Sequence, residues 1–487
     1  MKKVLITVVL SIVLLLLAGV LHTAGAYEVT QLTDNDSNEF APQISDNGMV
    51  LYYSYDSSNY AVYLHDGVDS IQLNDNGFSG LIPKINANGE CVWYGFDGAD
   101  NEIFFYGGSG AIQISDNAFN DTAPQINAAG QVVWQGYDGM DNEIYLFDGS
   151  HVIQLTDNTT NDMAPQINDS GEVVWYGYDG TDYEVYLYDG TGIVQLSDNT
   201  TTDRSPQINA DGQVIWYQHD GSDYEIVFYD GTGILQLTDN AYNDYTPQIA
   251  DGGLVVWSGF DGADYEIYLF NGLGIVQLTD NSVNDAEPQL NADGQVVWLQ
   301  FDGNDYEVLF YNGSEVIQLT DNDSNERAPQ INAQGQIVWQ GFDGVDNEIY
   351  MATFQIDADG DGIPDNLDGC PDEDATGFDV DGDGCIDNLS ELSELLKGYL
   401  QESRMGWWER ICAQFEIRHA QHAIARGHLR SAIHGLQALD RTLNAHQRHP
   451  WWRHRHGSCK DSSAQLEQIH TYLQSVIAAL EAGRRHR

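Results

Sequence analysis

The stretch at residues 154–194, QLTDNTTNDMAPQINDSGEVVWYGYDGTDYEVYLYDGTGIV, recurs along the chain in steps of 41 residues. Its leading glutamine stands at Gln31, Gln72, Gln113, Gln154, Gln195, Gln236, Gln277 and Gln318, with no insertion or deletion between copies. Self-similarity at a period of roughly 20–50 residues marks a solenoid, a propeller or an array, because each unit buries its apolar face only against its neighbours.

Each unit divides into four short β-type runs separated by turn residues. In the copy that begins at Gln113 the runs are 124–127, 132–137, 143–147 and 151–155, and the turns are Ala-Ala-Gly, Asp-Gly-Met-Asp and Asp-Gly-Ser. Four antiparallel strands per unit, eight times over, predict a mainly β architecture, an eight-bladed β-propeller over residues 27–356. A β-helix would need shorter coils, and a helical repeat would need 3.6-residue periodicity, which is absent. The last copy stops at Met351 without an outer strand, while residues 27–33 form such a strand with no blade of its own. The N-terminal strand is therefore expected to complete the last blade and remove the open edges.

One position of the second strand holds Trp93, Trp134, Trp175, Trp216, Trp257, Trp298 and Trp339, with Tyr52 in the first copy. A large aromatic that follows two apolar residues is expected to pack blade against blade rather than to form a sugar-stacking ring. The unit resembles the TolB-type, WD40-like propeller repeat. Leu155-Thr156, Pro165-Gln166-Ile167, Gly171, Trp175, Asp179-Gly180 and Val185-Tyr186 stand where that repeat has its Leu-Thr, Pro-x-hydrophobic, Gly, second-strand apolar, Asp-Gly and hydrophobic-Tyr positions. The resemblance covers residues 27–356 and implies the fold. Relatives of this kind range from binding scaffolds to hydrolases and lyases, so it implies no single activity.

The formal net charge is −56, unevenly spread. From residue 27 to 356 the only Lys or Arg residues are Lys84, Arg204 and Arg327, whereas residues 397–487 hold fourteen bases against seven acids and ten of the fourteen histidines. An acidic body argues against nucleic acid as a partner, which needs a basic footprint. Within the body the acids fall in two places that a propeller puts on one face. The loops leading into the first strands carry Asp34, Asp75, Asp116, Asp157, Asp198, Asp239, Asp280 and Asp321, most with a second acid such as Asp121, Asp162 or Asp203. The hairpins between second and third strands carry D-G-x-D-x-E in seven blades, as in Asp97, Asp100 and Glu102, while the first blade has Asp56, Asn59 and Ala61. Asp-Gly suits a tight turn, since Asp bonds local backbone N–H groups and Gly accepts φ > 0. The other reading is one Ca2+ per blade, because clustered carboxylates are hard-cation ligands.

Near-identity of the blades argues against a catalytic centre in the ring. The copies disagree at one position of the leading loop, which reads Phe40, Leu81, Thr122, Met163, Arg204, Tyr245, Ala286 and Arg327. Phe40, Arg204, Tyr245 and Arg327, together with His219 in the hairpin after Arg204, form the candidate ligand face.

Residues 357–391 are an acidic junction. Asp357, Asp359, Asp361, Asp365 and Asp368 fall at positions 1, 3, 5, 9 and 12 of an EF-hand-type loop, with Gly362 at the sharp turn and the Ile363 carbonyl at position 7. A second set is Asp379, Asp381, Asp383 and Asp387, with the Cys385 carbonyl at position 7 and Glu391 one beyond position 12. The segment resembles bacterial thrombospondin type 3 repeats, which implies Ca2+ as the bound cofactor and a stiff spacer.

Residues 392–487 show helical spacing and are expected to form a small basic bundle. The run at 420–439 resembles FIMAH-type helical modules of secreted bacterial proteins. His446, His449, His454, His456 and Cys459 match no closed metal site. A basic, aromatic loop there is expected to dock on an anionic surface, either a cell-envelope polymer or another molecule's acidic propeller. Residues 1–26 have the basic, apolar and small-residue regions of a secretory signal, which places the chain outside the cytoplasm, secreted, periplasmic or on the cell surface, with no transmembrane helix once the signal is cleaved. Export permits disulfides. Cys370 and Cys385 flank the acidic segment, Cys412 and Cys459 share the tail, and Cys91 is expected to be a buried free thiol. Two bridges are expected, with the pairing left open by the sequence.

These readings converge on a calcium-binding, non-enzymatic scaffold or adhesion protein with a protein or polysaccharide ligand. A propeller lyase or hydrolase, and a TolB-like periplasmic envelope protein, are the alternatives.

Overall fold

The computed structural model describes residues 27–55, 59–74, 79–354 and 436–437. Residues 28–353 make one compact unit, and residues 1–27 and 354–487 fall in a second, of which only Tyr27, Phe354, Leu436 and Gln437 are described. Leu436 and Gln437 are helical. Among the described residues no helix is long and apolar enough to cross a membrane. The acidic junction, the four cysteines expected to pair, the signal segment and the rest of the tail lie outside the described residues.

The first unit consists of eight four-stranded antiparallel sheets. In the third blade the strands, innermost first, are β10 (Asp121–Ile126), β11 (Val132–Tyr137), β12 (Asn142–Phe147) and β13 (Val152–Gln154), paired in that order. The eighth blade combines β30 (Arg327–Ile331), β31 (Ile337–Phe342) and β32 (Asn347–Phe354) with β1 (Tyr27–Gln31), which lies at the edge beside β32. This is the closure expected from the truncated last copy.

The inner strand starts earlier than its sequence implies. Proline has no N–H for the ladder, so Pro124 reads as a strand start. Pairing in fact begins at Asp121 and crosses a bulge: Thr122 opposes Gln135 and Gln125 opposes Val133, leaving Ala123 and Pro124 opposite Trp134. Ala123 has φ 54°, and the residue before each equivalent proline, from Ala41 to Ala328, is likewise left-handed. Proline disfavours the right-handed helical region for the residue before it, and here the bulge holds that residue left-handed. The bulge returns the strand to register and brings the varying position inside it. Arg204 is therefore the second residue of β18 (Asp203–Ile208), not part of a loop.

Blades pack through the seven tryptophans of the repeat, each at most 1% exposed. Trp216 packs on Val214 and Val227 of its own blade and on Val174, Val185 and Leu187 of the preceding one. Tyr52 takes this place in the first blade and packs on Val338 and Ile349 of the eighth. The sugar-stacking reading is thereby excluded. At the opposite end from the acidic hairpins, a recurring asparagine links neighbours: Asn127 Nδ2 donates to the carbonyl of Asn168 (2.9 Å), and Asn332 Nδ2 to that of Ser45 across the closure (3.0 Å). Cys91 is buried and free, its thiol pushed up to about 12 by burial.

Candidate functional site

The hairpin between the second and third strands of each blade meets the loop that crosses to the next blade. Between blades 3 and 4 the Leu-Thr-Asp-Asn segment builds this junction. Thr156 Oγ1 accepts the Ile144 N–H (2.9 Å), and Glu143 Oε1 accepts the Asn158 N–H (2.8 Å). Asn158 Oδ1 accepts the Thr160 N–H (2.7 Å), while its Nδ2 donates to Asp162 Oδ2 (2.7 Å). The indole N–H of Trp175 donates to Asp162 Oδ1 (3.0 Å). Glu143 is 0% and Asp162 4% exposed. The second acids of the leading loops are thus not on the open face, as the sequence places them. They are buried beneath the loop, held by the asparagine donor and, at Asp162, Asp244 and Asp285, by the indole as well. Gly177 exists to leave room for one of them, since a Cβ there would run into Asp162 Oδ1.

Each buried acid faces the last Glu of the preceding hairpin. The pairs include Glu102 with Asp121, Glu184 with Asp203, Glu225 with Asp244 and, across the closure, Glu348 with Glu39. At the first junction both partners are missing together: the positions hold Ala61 and Gly80. Asn74 Oδ1 there accepts the Val62 N–H directly (2.6 Å). Burial, then the facing carboxyl, pushes Glu39, Asp121 and Asp203 well above the ordinary carboxylate range. Burial raises Glu225 and Glu326 to about 7. A folded pKa raised above the unfolded one adds stability that is complete below about pH 4 and is lost as pH rises through the folded value. In metal-free buffer the thermal midpoint is therefore expected to rise as pH is lowered from about 9 to about 6. Salt-bridged carboxylates, whose pKa values are lowered, would leave the midpoint flat over this range and lower it only in acid, and thermal unfolding followed by circular dichroism against pH distinguishes the two.

Nearer the surface, hairpin and crossing loop bring three or more carboxylates together. Asp97, Asp100 and Glu102 form one such group. Asp138, Glu143 and Asp157 form the next, and Asp179, Glu184 and Asp198 the one after. Asp34, Asp343 and Glu348 form the group at the closure, and in each group the ligand atoms lie within 4.8 Å of one another. The first Asp closes the turn as its Asp-Gly sequence predicts: Asp138 Oδ1 accepts the N–H groups of Met140 (2.7 Å) and Asp141 (3.2 Å). The second Asp does not serve the turn with its side chain. Asp141 is 5% exposed, and neither carboxylate oxygen has a hydrogen-bond partner. Among the described residues the one ion pair is His151 with Asp148 (3.7 Å), so no Lys or Arg neutralises these groups.

The eightfold repetition breaks at the same end of blades 4 to 6. Arg204 Cζ lies 5.4 Å from the centroid of the Tyr183 ring, which also meets Tyr176 (5.4 Å) and Tyr178 (5.5 Å). In the next blade Tyr217 and His219 both pack edge-on against Tyr224, at 5.3 and 5.1 Å. Tyr245 continues the series, 5.5 Å from Tyr224 and 6.4 Å from Tyr265. Arg204 is exposed and the tyrosines are half-buried. Arg204, His219 and Tyr245 are thus united in one belt. Phe40 belongs to a separate aromatic group on blade 1, stacked on Tyr53 (5.4 Å), and Arg327 stands exposed on β30 of the neighbouring blade 8. The tyrosines escaped sequence reasoning because their spacing repeats with the strands. The signal was the clustering of Tyr over Asn at the residue before the hairpin Glu: Tyr183, Tyr224, Tyr265 and Tyr306 against Asn101, Asn142 and Asn347.

The described body is therefore an eight-bladed β-propeller with an acidic face and one aromatic belt. No family model and no curated protein matches the chain, so the TolB-type, thrombospondin type 3 and FIMAH resemblances stand as resemblances. Solved structures similar to it include the β-propeller domain of the Trilobed protease from Pyrococcus furiosus (14% identity, TM-score 0.44, 59% of this chain and 99% of that one). Dipeptidyl peptidase 4 from Porphyromonas gingivalis matches at 10% identity and TM-score 0.47, over 66% of this chain and 57% of that one. A catalytically inactive virginiamycin B lyase from Staphylococcus aureus, solved with quinupristin, matches at 11% identity and TM-score 0.39, over 57% of this chain and 96% of that one. The chain spans little more than half of the peptidase, and nothing about chemistry is carried over from these structures.

Proposed function

We propose that the protein is a secreted, non-enzymatic binding scaffold that takes a polysaccharide chain along the tyrosine belt of blades 4 to 6. The observation that carries this reading is the belt itself. It is where tyrosines of three successive blades cluster with a cationic side chain beside the repeated acids. Tyrosine offers an apolar face for stacking and a hydroxyl for hydrogen bonding, and a linear ligand suits a row of rings that runs over three blades. The repeated carboxyl pairs speak against catalysis, because equivalent environments do not drive the pKa values of an acid and a base apart. On this reading the junction at 357–391 holds Ca2+ and stiffens the connection, and the basic tail docks on an anionic cell-envelope polymer.

A panel of soluble neutral polysaccharides tests the belt. Binding to at least one is expected, nearly indifferent to salt, and weakened by about tenfold or more in Tyr183→Ala or Tyr224→Ala, the loss of roughly 1.4 kcal/mol. Retention of full affinity in both variants would remove the belt from the ligand site. Docking of the tail, being electrostatic, is expected to weaken steeply with salt.

A further inference from the structure

We propose that each D-G-x-D-x-E hairpin, with the aspartate of the loop crossing above it, is a Ca2+ site, so that the propeller carries a ring of seven bound cations. In blade 3 the donors are held in place before any ion arrives. Asp138 is pinned through Oδ1 by two backbone N–H groups, and Glu143 through Oε1 by the Asn158 N–H. Glu143 Oε2 and both oxygens of the buried Asp141 are left without partners. Asp157, on the crossing loop, lies within 4.8 Å of the Asp138 and Glu143 donors. Asp138, Glu143 and Asp157 thus each offer a donor within 4.8 Å of the other two, with Glu143 buried and its Oε2 unsatisfied, and in blade 2 the buried Asp100, whose Oδ1 is unpartnered, joins Asp97 and Glu102 in the same way. Ca2+ takes about 6–8 oxygens at about 2.3–2.6 Å, so one ion spans donors up to about 5 Å apart. Nitrogen and sulfur donors are absent from the group, which disfavours zinc and copper.

Two further observations point to an ion. The unpaired buried Asp recurs: both oxygens of Asp182 and Asp264 lack partners, as does Oδ1 of Asp100, Asp223, Asp305 and Asp346. A buried carboxylate with no hydrogen bond is costly unless a counter-charge satisfies it, and among the described residues no Lys or Arg forms an ion pair with these hairpin aspartates. Moreover, the first blade has Asn59 and Ala61 in place of the second Asp and the Glu. Losing these donors together is what a shared ligand predicts. Each site joins a hairpin to the loop that enters the next blade, so the ions fasten the ring. At the closure, Asp34 from the N-terminal strand's loop joins Asp343 and Glu348 of the last hairpin.

The test uses the full chain, stripped with a chelator and titrated with CaCl2 by calorimetry and native mass spectrometry. Wild type is compared with the triple variant Asp141→Asn/Asp182→Asn/Asp264→Asn, whose substitutions keep side-chain shape. The variant is expected to bind three fewer Ca2+, whatever the acidic junction binds. In chelator it should melt at or above wild type, because buried charge is gone. In Ca2+ wild type should melt higher. Equal stoichiometry in the two proteins would overturn the proposal. So would a wild type that takes up no more than the two ions for which the junction has ligand sets, and that result does not depend on how the variant folds. Polysaccharide binding is measured separately, so failure here leaves the tyrosine belt untouched.

Discussion

Replacing Trp257 by alanine is expected to lower the unfolding free energy by about 3–5 kcal/mol, read as a fall in the urea midpoint. Trp257 is 1% exposed and packs against Ile215, Ile226 and Phe228 of the preceding blade, with its ring stacked on Tyr268 at 5.8 Å. Truncation would leave a cavity at a blade interface, where apolar strands on both sides cannot collapse without moving a whole sheet. The indole also donates to Asp244 Oδ1 (3.1 Å). Trp257→Phe therefore loses a hydrogen bond as well as volume. Trp134 has no partner for its indole N–H, so Trp134→Phe removes an unsatisfied donor and is expected to cost about 1 kcal/mol less than Trp257→Phe. Equal costs would show that the Asp244 bond contributes nothing net.

Deleting residues 27–33 is expected to open the ring. Besides the β1 ladder, the deletion removes the bond from the Leu32 N–H to the Ile349 carbonyl (2.8 Å) and the one from the Ile349 N–H to Thr33 Oγ1 (2.9 Å). At about 0.5–1.5 kcal/mol per bond, with a buried N–H left unpaired, the loss reaches several kcal/mol. The exposed edge of β32 would then pair with other chains. A lower thermal midpoint and a shift to larger species on size-exclusion chromatography are the expected results. An unchanged elution volume with an unchanged midpoint would mean that blade 8 is held by Asn332 and its neighbours rather than by the closing strand. Thr33→Val isolates one part of this, since it deletes the acceptor and keeps the volume. A cost of about 1–3 kcal/mol is expected.

The fold was legible in the sequence because a propeller is a local rule applied eight times. The 41-residue step, the four runs per unit and the displaced N-terminal strand each constrain neighbours in the chain or in the ring. The tryptophan role was legible for the same reason, as two apolar residues before a large aromatic in a central strand leave little but an interface. The inner strand's start was not. Pro124 hides a bulge that only the register between β10 and β11 exposes.

The chemistry divides along the same line. Composition and spacing alone established an acidic face built from two loop types, the Asp-Gly turns, and a body with three Lys or Arg residues. Tertiary structure decided what each acid does. Glu143 lies on blade 3 and Asp162 on blade 4, and only the ring buries them face to face. Asp138 and Asp141 look equivalent in the sequence, yet one is bonded by the turn and the other is buried without a partner. Arg204, His219 and Tyr245 gain tyrosine neighbours from three blades. The physical reason is that hydrogen-bond satisfaction and burial depend on contacts across blades. A repeat fixes its own strands, whereas the environment of a side chain at a blade junction is set by the neighbouring copy as well as its own.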